Sequence, residues 1–246
     1  MNKLKSLIVL SLMLFVGGQM MGQTHGTMYL GASFPMGDYE KVNGLNSTAI
    51  FGDENQTFGG AALGFNAGLK WDFGVGVPGL AVILSVDGLY NGPSADMKEC
   101  YKEVENVLDV VNNKIDQSTP KYINVPAMLG LRYTFYLTPQ FGIYAEGGAG
   151  GNARFITDYS VKYTDFLNVT HINTESFNTA FTFAYQAGLG IEVSKNLVIG
   201  CSFYNLGGAV VKGEGNSKAG SAGNNYDFNR GTLNPSMILA RIGFRF

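Results

Sequence analysis

The sequence is poor in the residues that most metal and nucleic-acid sites require. It has two cysteines, two histidines and one tryptophan in 246 residues, and only 15% of its residues are charged. Two histidines and two distant cysteines do not supply the closely spaced ligands of a zinc site. The net charge is −2 and no lysine or arginine run is present, so the clustered positive charge of a nucleic-acid-binding face is missing. We expect no metal, no cofactor and no nucleic-acid partner.

No apolar run is long enough to form a membrane-spanning helix. The run from Leu7 to Val16 is too short, because crossing about 30 Å of hydrocarbon takes about 20 apolar residues. Lysines precede it, and small and polar residues follow it up to Gln23, which is the arrangement of a secretory signal. We therefore predict a signal peptide over residues 1–22 and a single exported domain over residues 23–246.

Glycine and aromatic residues are abundant instead, with 34 glycines, 17 phenylalanines and 13 tyrosines. This composition favours strands and turns over helices. Apolar and polar residues alternate in eight segments, as they do in strands with two different faces. The predicted strands are 27–34, 60–73, 80–90, 122–137, 141–155, 179–193, 197–208 and 236–246.

The connections between these strands are alternately long and short. A strand of about 9 to 11 residues suits a tilted membrane crossing, and a barrel must close because lipid offers no partner to an unpaired edge. The sequence therefore predicts an all-β fold, a closed antiparallel transmembrane β-barrel of about eight strands. Its short turns are expected on the periplasmic side and its long loops outside, as is usual in bacterial barrels. A soluble β-sandwich is the alternative explanation of the same alternation.

Charged residues within the strands fall on the face opposite the aliphatic and aromatic one. Because a lysine or arginine facing lipid near the midplane costs about 2 to 4 kcal/mol, the charged face is expected to point into the lumen. Side chains fill the interior of an eight-stranded barrel, so these residues are predicted to form an ion-pair network. Its expected members are Lys70, Asp72, Asp87, Arg132, Glu146, Arg154, Glu192, Arg241 and Arg245. An ion or proton path is the alternative reading of this network.

Three features of the connections and strands carry further predictions. Apolar residues between 95 and 112 recur at helical spacing, which predicts a short helix acting as a lid over the barrel mouth or as a contact surface. Residues 161–172 are expected to extend the strands as a ribbon, whereas the glycine- and asparagine-rich segment up to Asn234 is expected to be a loop. Pro126 lies inside a predicted strand, where it cannot donate a ladder hydrogen bond, so we predict a bulge there.

The two cysteines are not expected to form a disulfide. Cys100 falls in a predicted long loop and Cys201 lies in the middle of a predicted strand, on its apolar face. A lone cysteine in such a face behaves as a small apolar residue. We therefore predict two unpaired thiols.

The segment from Tyr122 to Tyr133, which includes Pro126, resembles a signature of the outer-membrane β-barrel family of Bacteroidetes (PorT-like or OmpX-like). The last six residues also resemble the terminal strand that barrel-assembly machinery recognises, with Phe244 and Phe246 as the assembly signal. The resemblance implies a bacterial outer-membrane location, with membrane lipid and the assembly machinery as partners. We expect a monomer, with a further envelope or extracellular partner bound through the loops.

Residue patterns that suggest catalysis are weak. Residues 148–153 match a dinucleotide-binding pattern, but they lie inside a predicted strand and no helix follows. His171 has Glu175 and Ser176 near it in sequence, which does not by itself make a catalytic triad. We therefore expect a non-enzymatic barrel that acts as an envelope scaffold or through surface contacts. A narrow channel for ions or small solutes is one alternative, and a lipid-modifying enzyme centred on His171 is another.

Overall fold

The structure is a computed structural model that describes residues 24–41, 59–99, 116–164, 167–194 and 196–246. The predicted signal peptide, residues 1–22, lies outside the described residues. The strands are β1 (Thr24–Met36), β2 (Ala61–Gly74), β3 (Leu80–Pro93), β4 (Asp116–Ser118), β5 (Tyr122–Thr138), β6 (Phe141–Ile156), β7 (Tyr159–Thr164), β8 (Thr170–Phe177), β9 (Ala180–Val193), β10 (Leu197–Asn205), β11 (Ala209–Ala219), β12 (Ala222–Leu233) and β13 (Ser236–Arg245).

Eight of these strands close into an antiparallel barrel. Their order around the barrel is β1, β13, β10, β9, β6, β5, β3 and β2, and β1 pairs with both β13 and β2. Every barrel strand therefore has two neighbours, which satisfies the backbone polar groups that lipid would leave unpaired. The predicted fold class is confirmed. The eight predicted strands correspond in order to these eight, although β10 ends at Asn205 rather than at residue 208.

The two ends of the barrel differ in their connections. The connections over residues 75–79, 139–140 and 194–196 are short and join strands at one end, which we call the turn end. The first residue of β1 and the last of β13 lie there too. The long connections leave the opposite end, which we call the loop end. No helix among the described residues is both long and apolar enough to cross a membrane.

A second sheet, which we call the loop sheet, is built from three of the long connections. Its strand order is β12, β11, β8, β7 and β4. The ribbon expected over residues 161–172 is confirmed as the β7–β8 hairpin. The loop expected up to Asn234 is wrong, because most of that segment forms the β11–β12 hairpin.

The β11–β12 hairpin lacks the apolar alternation of a strand for a steric reason. Gly213 and Gly215 of β11 pair with Phe228 and Tyr226 of β12. A Cβ atom on Gly215 would lie 2.2 Å from a ring carbon of Tyr226, so the aromatic rings cover the positions that glycine leaves open. Glycine therefore alternates with Lys212, Glu214 and Asn216, and this polar stretch is typical of a loop in sequence.

The bulge predicted at Pro126 is wrong. Pro126 pairs with Asn152 of β6 in a continuous register. On the β3 side, Ala127 pairs with Val86 and Asn124 with Leu89, again in one register. The ladder between β5 and β3 skips Val125 and Pro126, the two residues that lie between these pairs. The missing amide donor thus interrupts the hydrogen bonding without inserting an extra residue.

The outer face of the barrel is apolar over the length of a membrane crossing. On β5 it exposes Val125, Leu129, Leu131, Tyr133 and Phe135, and on β9 it exposes Phe181, Phe183, Tyr185 and Leu189. Ten residues of a tilted strand span about 25 Å, which is the height of the apolar band on outer-membrane barrels. Cys201 lies on this face as an exposed free thiol. Cys100 lies outside the described residues.

Candidate functional site

All nine charged residues predicted to face the lumen are buried there, with exposures of 1% to 7%. Eight of them come together in two ion-pair clusters. Each cluster contains two cationic and two carboxylate side chains, so each is neutral overall.

The first cluster lies nearest the turn end and consists of Asp72, Arg132, Glu192 and Arg245. We call it the turn-end cluster. Arg132 donates to Asp72 at 3.1 Å and to Glu192 at 2.6 Å. Arg245 reaches the same two carboxylates, at 3.1 Å and 2.5 Å. Both carboxylates therefore bridge both guanidinium groups, which locks strands β2, β5, β9 and β13 to one another across the lumen.

The second cluster, which we call the middle cluster, consists of Lys70, Asp87, Glu146 and Arg241. The Nζ atom of Lys70 donates to Glu146 at 2.5 Å, and Arg241 lies 3.2 Å from Asp87 and 3.6 Å from Glu146. The Tyr204 hydroxyl also donates to Asp87, at 2.8 Å. A lysine on β2 is thus paired with a glutamate on β6. This pair extends across the lumen and fills the barrel at this level.

Three tyrosine rings, none of them predicted from the sequence, support these clusters. The guanidinium carbon of Arg132 lies 3.6 Å from the centre of the Tyr144 ring. Tyr29 has Lys70 at 5.0 Å and Arg241 at 5.2 Å from its ring centre, and Tyr204 has Arg241 at 5.4 Å. Such cation–π contacts stabilise cations that are removed from water. The available clue was that these tyrosines share the strand face of the charges.

Arg154 is the ninth predicted residue and does not join either cluster. Among the described residues it has no carboxylate partner. Its guanidinium donates instead to the backbone carbonyl oxygens of Leu233, at 2.7 Å, and Ala209, at 3.1 Å. These are the paired first and last residues of the β11–β12 hairpin. The single predicted network is therefore corrected to two clusters plus one isolated arginine.

A layer of amide side chains lies on the loop side of the ion pairs. Five adjacent barrel strands contribute one lumen-facing amide each, all with exposures of 3% or less. They are Asn66 of β2, Asn91 of β3, Asn124 of β5, Asn152 of β6 and Gln186 of β9. Asn152 donates to Asn124 at 3.1 Å, and Asn91 donates to Ser33 at 3.2 Å. This amide layer carries no formal charge.

An apolar seal covers the amide layer at the loop end. All four long connections contribute buried side chains to it, namely Tyr39, Met97, Tyr159, Val161, Val211 and Leu233. The Tyr39 hydroxyl donates to Asn91 at 3.3 Å, and the Tyr122 hydroxyl donates to the carbonyl oxygen of Gly59 at 2.6 Å. Burial raises the pKa of the Tyr39 hydroxyl well above its ordinary value, so this hydroxyl stays protonated, and remains a donor, even in alkaline solution.

Part of the predicted loop helix contributes to the seal. Residues 95–99 are helical, and the Ser94 hydroxyl accepts a hydrogen bond from the backbone amide of Met97 at 3.1 Å. This is the usual capping arrangement at a helix start. Met97 is only 1% exposed. The remainder of the predicted helix, up to residue 112, lies outside the described residues.

At the turn end the lumen opens into a cavity of about 340 Å³. Its lining includes His25, Tyr136 and Gln140, together with Glu192 and Arg245 of the turn-end cluster. Since Glu192 and Arg245 are bonded to each other and to the residues beyond them, the cavity ends at this cluster. Solvent from the turn end therefore meets an ion-paired floor before it reaches the middle of the barrel.

The candidate catalytic residues do not assemble into a triad. His171 stacks on Tyr163 of the neighbouring strand, with ring centres 4.8 Å apart. Ser176 lies five residues along β8 and therefore points to the opposite face of the sheet. Glu175 shares the face of His171 but lies about 13 Å along the strand. Within the ranges that the structure describes, no three His, Cys, Asp or Glu side chains form a group able to hold a metal ion.

The predicted assembly residues lie at the turn end of β13. Phe244 and Phe246 are 60% and 66% exposed on the apolar face. The backbone of Phe246 exchanges two hydrogen bonds with Gly26 of β1, at 2.8 and 3.0 Å, so the last residue takes part in barrel closure. Recognition of these phenylalanines by assembly machinery stays a prediction.

A family model for the outer membrane protein beta-barrel domain matches residues 7–246. The chain belongs to this family. The charge-filled lumen and the apolar outer face are thus features of an outer membrane β-barrel, and the lipid-facing assignment of the outer surface follows. No curated protein matches the chain in sequence.

The chain is also similar to several solved outer-membrane barrels, at low sequence identity. The Yersinia pestis attachment invasion locus protein Ail is 16% identical, with a TM-score of 0.38, over 92% of this chain and 100% of that one. Neisserial surface protein A is 12% identical, with a TM-score of 0.39, over 90% of this chain and 95% of that one. OprG from Pseudomonas aeruginosa is 11% identical, with a TM-score of 0.43, over the same shares of the two chains.

Proposed function

We propose that this outer membrane barrel is a closed, non-enzymatic anchor that holds the loop sheet outside the cell for contact with other surfaces. One observation carries the proposal. Two neutral ion-pair clusters cross the lumen, and an apolar seal from all four long connections covers its loop end. A pathway for solutes would need a continuous wet route. The closed lumen instead favours a scaffold.

The loop sheet offers a surface suited to contacts with polar partners. One row of hydroxyl and amide residues crosses all five of its strands through paired positions. The row consists of Ser118, Ser160, Thr174, Asn216 and Asn225. Its neighbours on the same face include the exposed lysines Lys162 and Lys218. Surface-exposed irregular and polar segments held on a rigid framework are where binding residues are most often found.

The orientation and export of the chain belong to the same proposal. Short turns of bacterial barrels face the periplasm and long loops face outside, which puts the loop sheet outside the cell. Residues 1–22 then act as the signal peptide, and Phe244 and Phe246 direct barrel assembly. The segment from Tyr122 to Tyr133 supports a place in the PorT-like group of Bacteroidetes. We expect the barrel to act as a monomer.

Labelling of lysines on intact cells tests this orientation. A membrane-impermeant amine reagent is expected to modify Lys162, Lys212 and Lys218 of the loop sheet, because all three are exposed. Lys70 is an internal control, since it is 1% exposed and paired with Glu146. Peptide mapping by mass spectrometry reads the result. Labelling of the loop-sheet lysines only after the outer membrane is permeabilised would show that the sheet faces the periplasm.

The narrow channel stays the second candidate because polar side chains line the middle of the lumen. The amide layer supplies hydrogen-bonding groups without charge, and such a lining suits small polar solutes. The barriers that would have to open are the two ion-pair clusters and the seal. Conductance measurements separate the two candidates.

The lipid-modifying enzyme is disfavoured by the separate faces of His171 and Ser176, and an unchanged outer-membrane lipid profile in a His171→Ala strain would remove its remaining support.

A further inference from the structure

We infer that the β11–β12 hairpin is a lid over the outer half of the lumen and that Arg154 is its latch. This goes beyond the proposed anchoring function, which needs only a closed resting state. The latch is defined by one side chain on β6 and two backbone atoms at the base of the hairpin. Because β11 also pairs with β8 from Gly213 to Ala219, the hairpin lifts together with the other strands of the loop sheet. The lid opens toward the outside, and the ion-pair clusters below it stay closed.

The contacts of Arg154 distinguish it from the other lumen charges. Arg132, Arg241 and Arg245 each bind carboxylates from other barrel strands. Arg154 is equally buried, at 2% exposure, yet within the part of the chain that the structure describes it donates only to the carbonyl oxygens of Leu233 and Ala209. Both atoms belong to the hairpin base. The hydrogen bonds of Arg154 therefore hold the hairpin to the barrel wall and do nothing to tie barrel strands together.

The chemistry of this latch makes the closed state reversible. A guanidinium removed from water without a counter-charge is costly, because carbonyl oxygens replace only part of its hydration. When the hairpin lifts, Arg154 regains water, which offsets only part of the loss of its two hydrogen bonds, so the latch still favours the closed state. The side-chain oxygens of Asn66 and Asn152 and the whole amide of Gln186 are buried without a partner among the described residues. Opening hydrates these groups as well, which lowers the free-energy cost of opening.

The hairpin is positioned to uncover the amide layer when it moves. Val211 of β11 and Leu233 of β12 are members of the apolar seal. Asn152 lies two residues before Arg154 on β6, on the same lumen face. Tyr159 and Val161 of the seal lie on β7 of the same sheet. Lifting the loop sheet therefore removes four of the six named seal side chains and gives outside solutes access to Asn152 and its neighbours. The middle and turn-end clusters below remain paired, so access ends there.

Hydrogen exchange measured by mass spectrometry on the refolded barrel in lipid nanodiscs tests the latch. In Arg154→Met, amides of residues 209–219 and 222–233 are expected to exchange at least about tenfold faster, since two charge-assisted hydrogen bonds are lost. Amides of β2 and β3 are expected to be unchanged. Lys212→Met is the matched control, because it removes an exposed charge from the hairpin without touching the latch. Unchanged exchange in the hairpin, or equal acceleration throughout the barrel, would overturn the proposal.

Cysteine accessibility tests the lid with Arg154 in place, so the result does not depend on the folding of the Arg154 variant. The background carries Cys100→Ser and Cys201→Ala. A membrane-impermeant maleimide added to intact cells is expected to modify Asn152→Cys slowly but completely. Thr27→Cys, which lies at the level of Lys70, is expected to stay unmodified. The lid is refuted if Asn152→Cys is never modified or if both cysteines react at the same rate.

Discussion

Replacing Arg132 with methionine is expected to lower the free energy of unfolding by about 3–5 kcal/mol. Arg132 is 1% exposed and binds Asp72 and Glu192, so its removal leaves two buried carboxylates with Arg245 as their only cation in the turn-end cluster. It also removes the cation that lies over the Tyr144 ring. Urea titration of the barrel refolded in lipid vesicles measures the change.

Two further variants show whether the loss comes from the unpaired carboxylates. Lys218→Met removes an exposed charge on the loop sheet and is expected to change the free energy of unfolding by less than about 0.5 kcal/mol. Combining Arg132→Met with Glu192→Gln is expected to recover part of the loss, because the partners are energetically coupled. If Arg132→Met is as mild as Lys218→Met, the turn-end cluster contributes little to stability.

Replacing Leu129 with arginine is expected to destabilise the barrel by about 2–4 kcal/mol. Leu129 lies midway along β5 and is 61% exposed on the outer face. In water such a position would tolerate a charge, whereas at the centre of a bilayer the guanidinium loses its hydration. The same vesicle titration gives the measurement.

Ile172 provides the matched control for this substitution. It is also an exposed aliphatic residue on a strand, at 36% exposure, but it belongs to the loop sheet. Ile172→Arg is expected to stay within about 0.5 kcal/mol of the wild type. Equal effects at the two positions would mean that the outer face of β5 does not contact hydrocarbon.

The barrel strands could be predicted from the sequence because one face of each strand meets lipid and the other meets the lumen, so residue type alternates with a period of two. Leu129 and Leu131 must face lipid while Met128 and Arg132 face the lumen, so apolar and lumen residues alternate along β5. The β11–β12 hairpin meets no such contrast. Its alternation is between glycine and polar residues, and the aromatic rings that cover the glycines belong to the other strand. The sequence of the hairpin therefore lacks the alternation of apolar and polar residues that predicts a strand.

The lumen residues were found by their shared face, but their partners could not be assigned from sequence. Lys70 and Glu146 are 76 residues apart, and Asp72 and Arg245 are 173 apart. Pairing across a closed barrel depends on strand order and stagger, which no local pattern encodes. Arg154 shows the limit most clearly. The sequence predicts its face correctly, yet its partners are backbone atoms of the β11–β12 hairpin, whose sequence is typical of a loop.

Pro126 shows a different limit. The general rule that proline disrupts a ladder is correct, and the pairing between β5 and β3 is interrupted beside it. The rule does not specify how the strand adapts. Here the register continues on both sides, because neighbouring pairs hold the strand in place.

Single-channel recording in planar lipid bilayers tests most directly whether the barrel is closed. The purified, refolded wild-type protein is expected to insert without steady conductance steps, because both ion-pair clusters block the lumen. Arg132→Met and Arg241→Met serve as comparisons, since each opens one cluster. Steady steps in the wild type that are altered by these lumen substitutions would contradict a closed barrel and establish a channel instead.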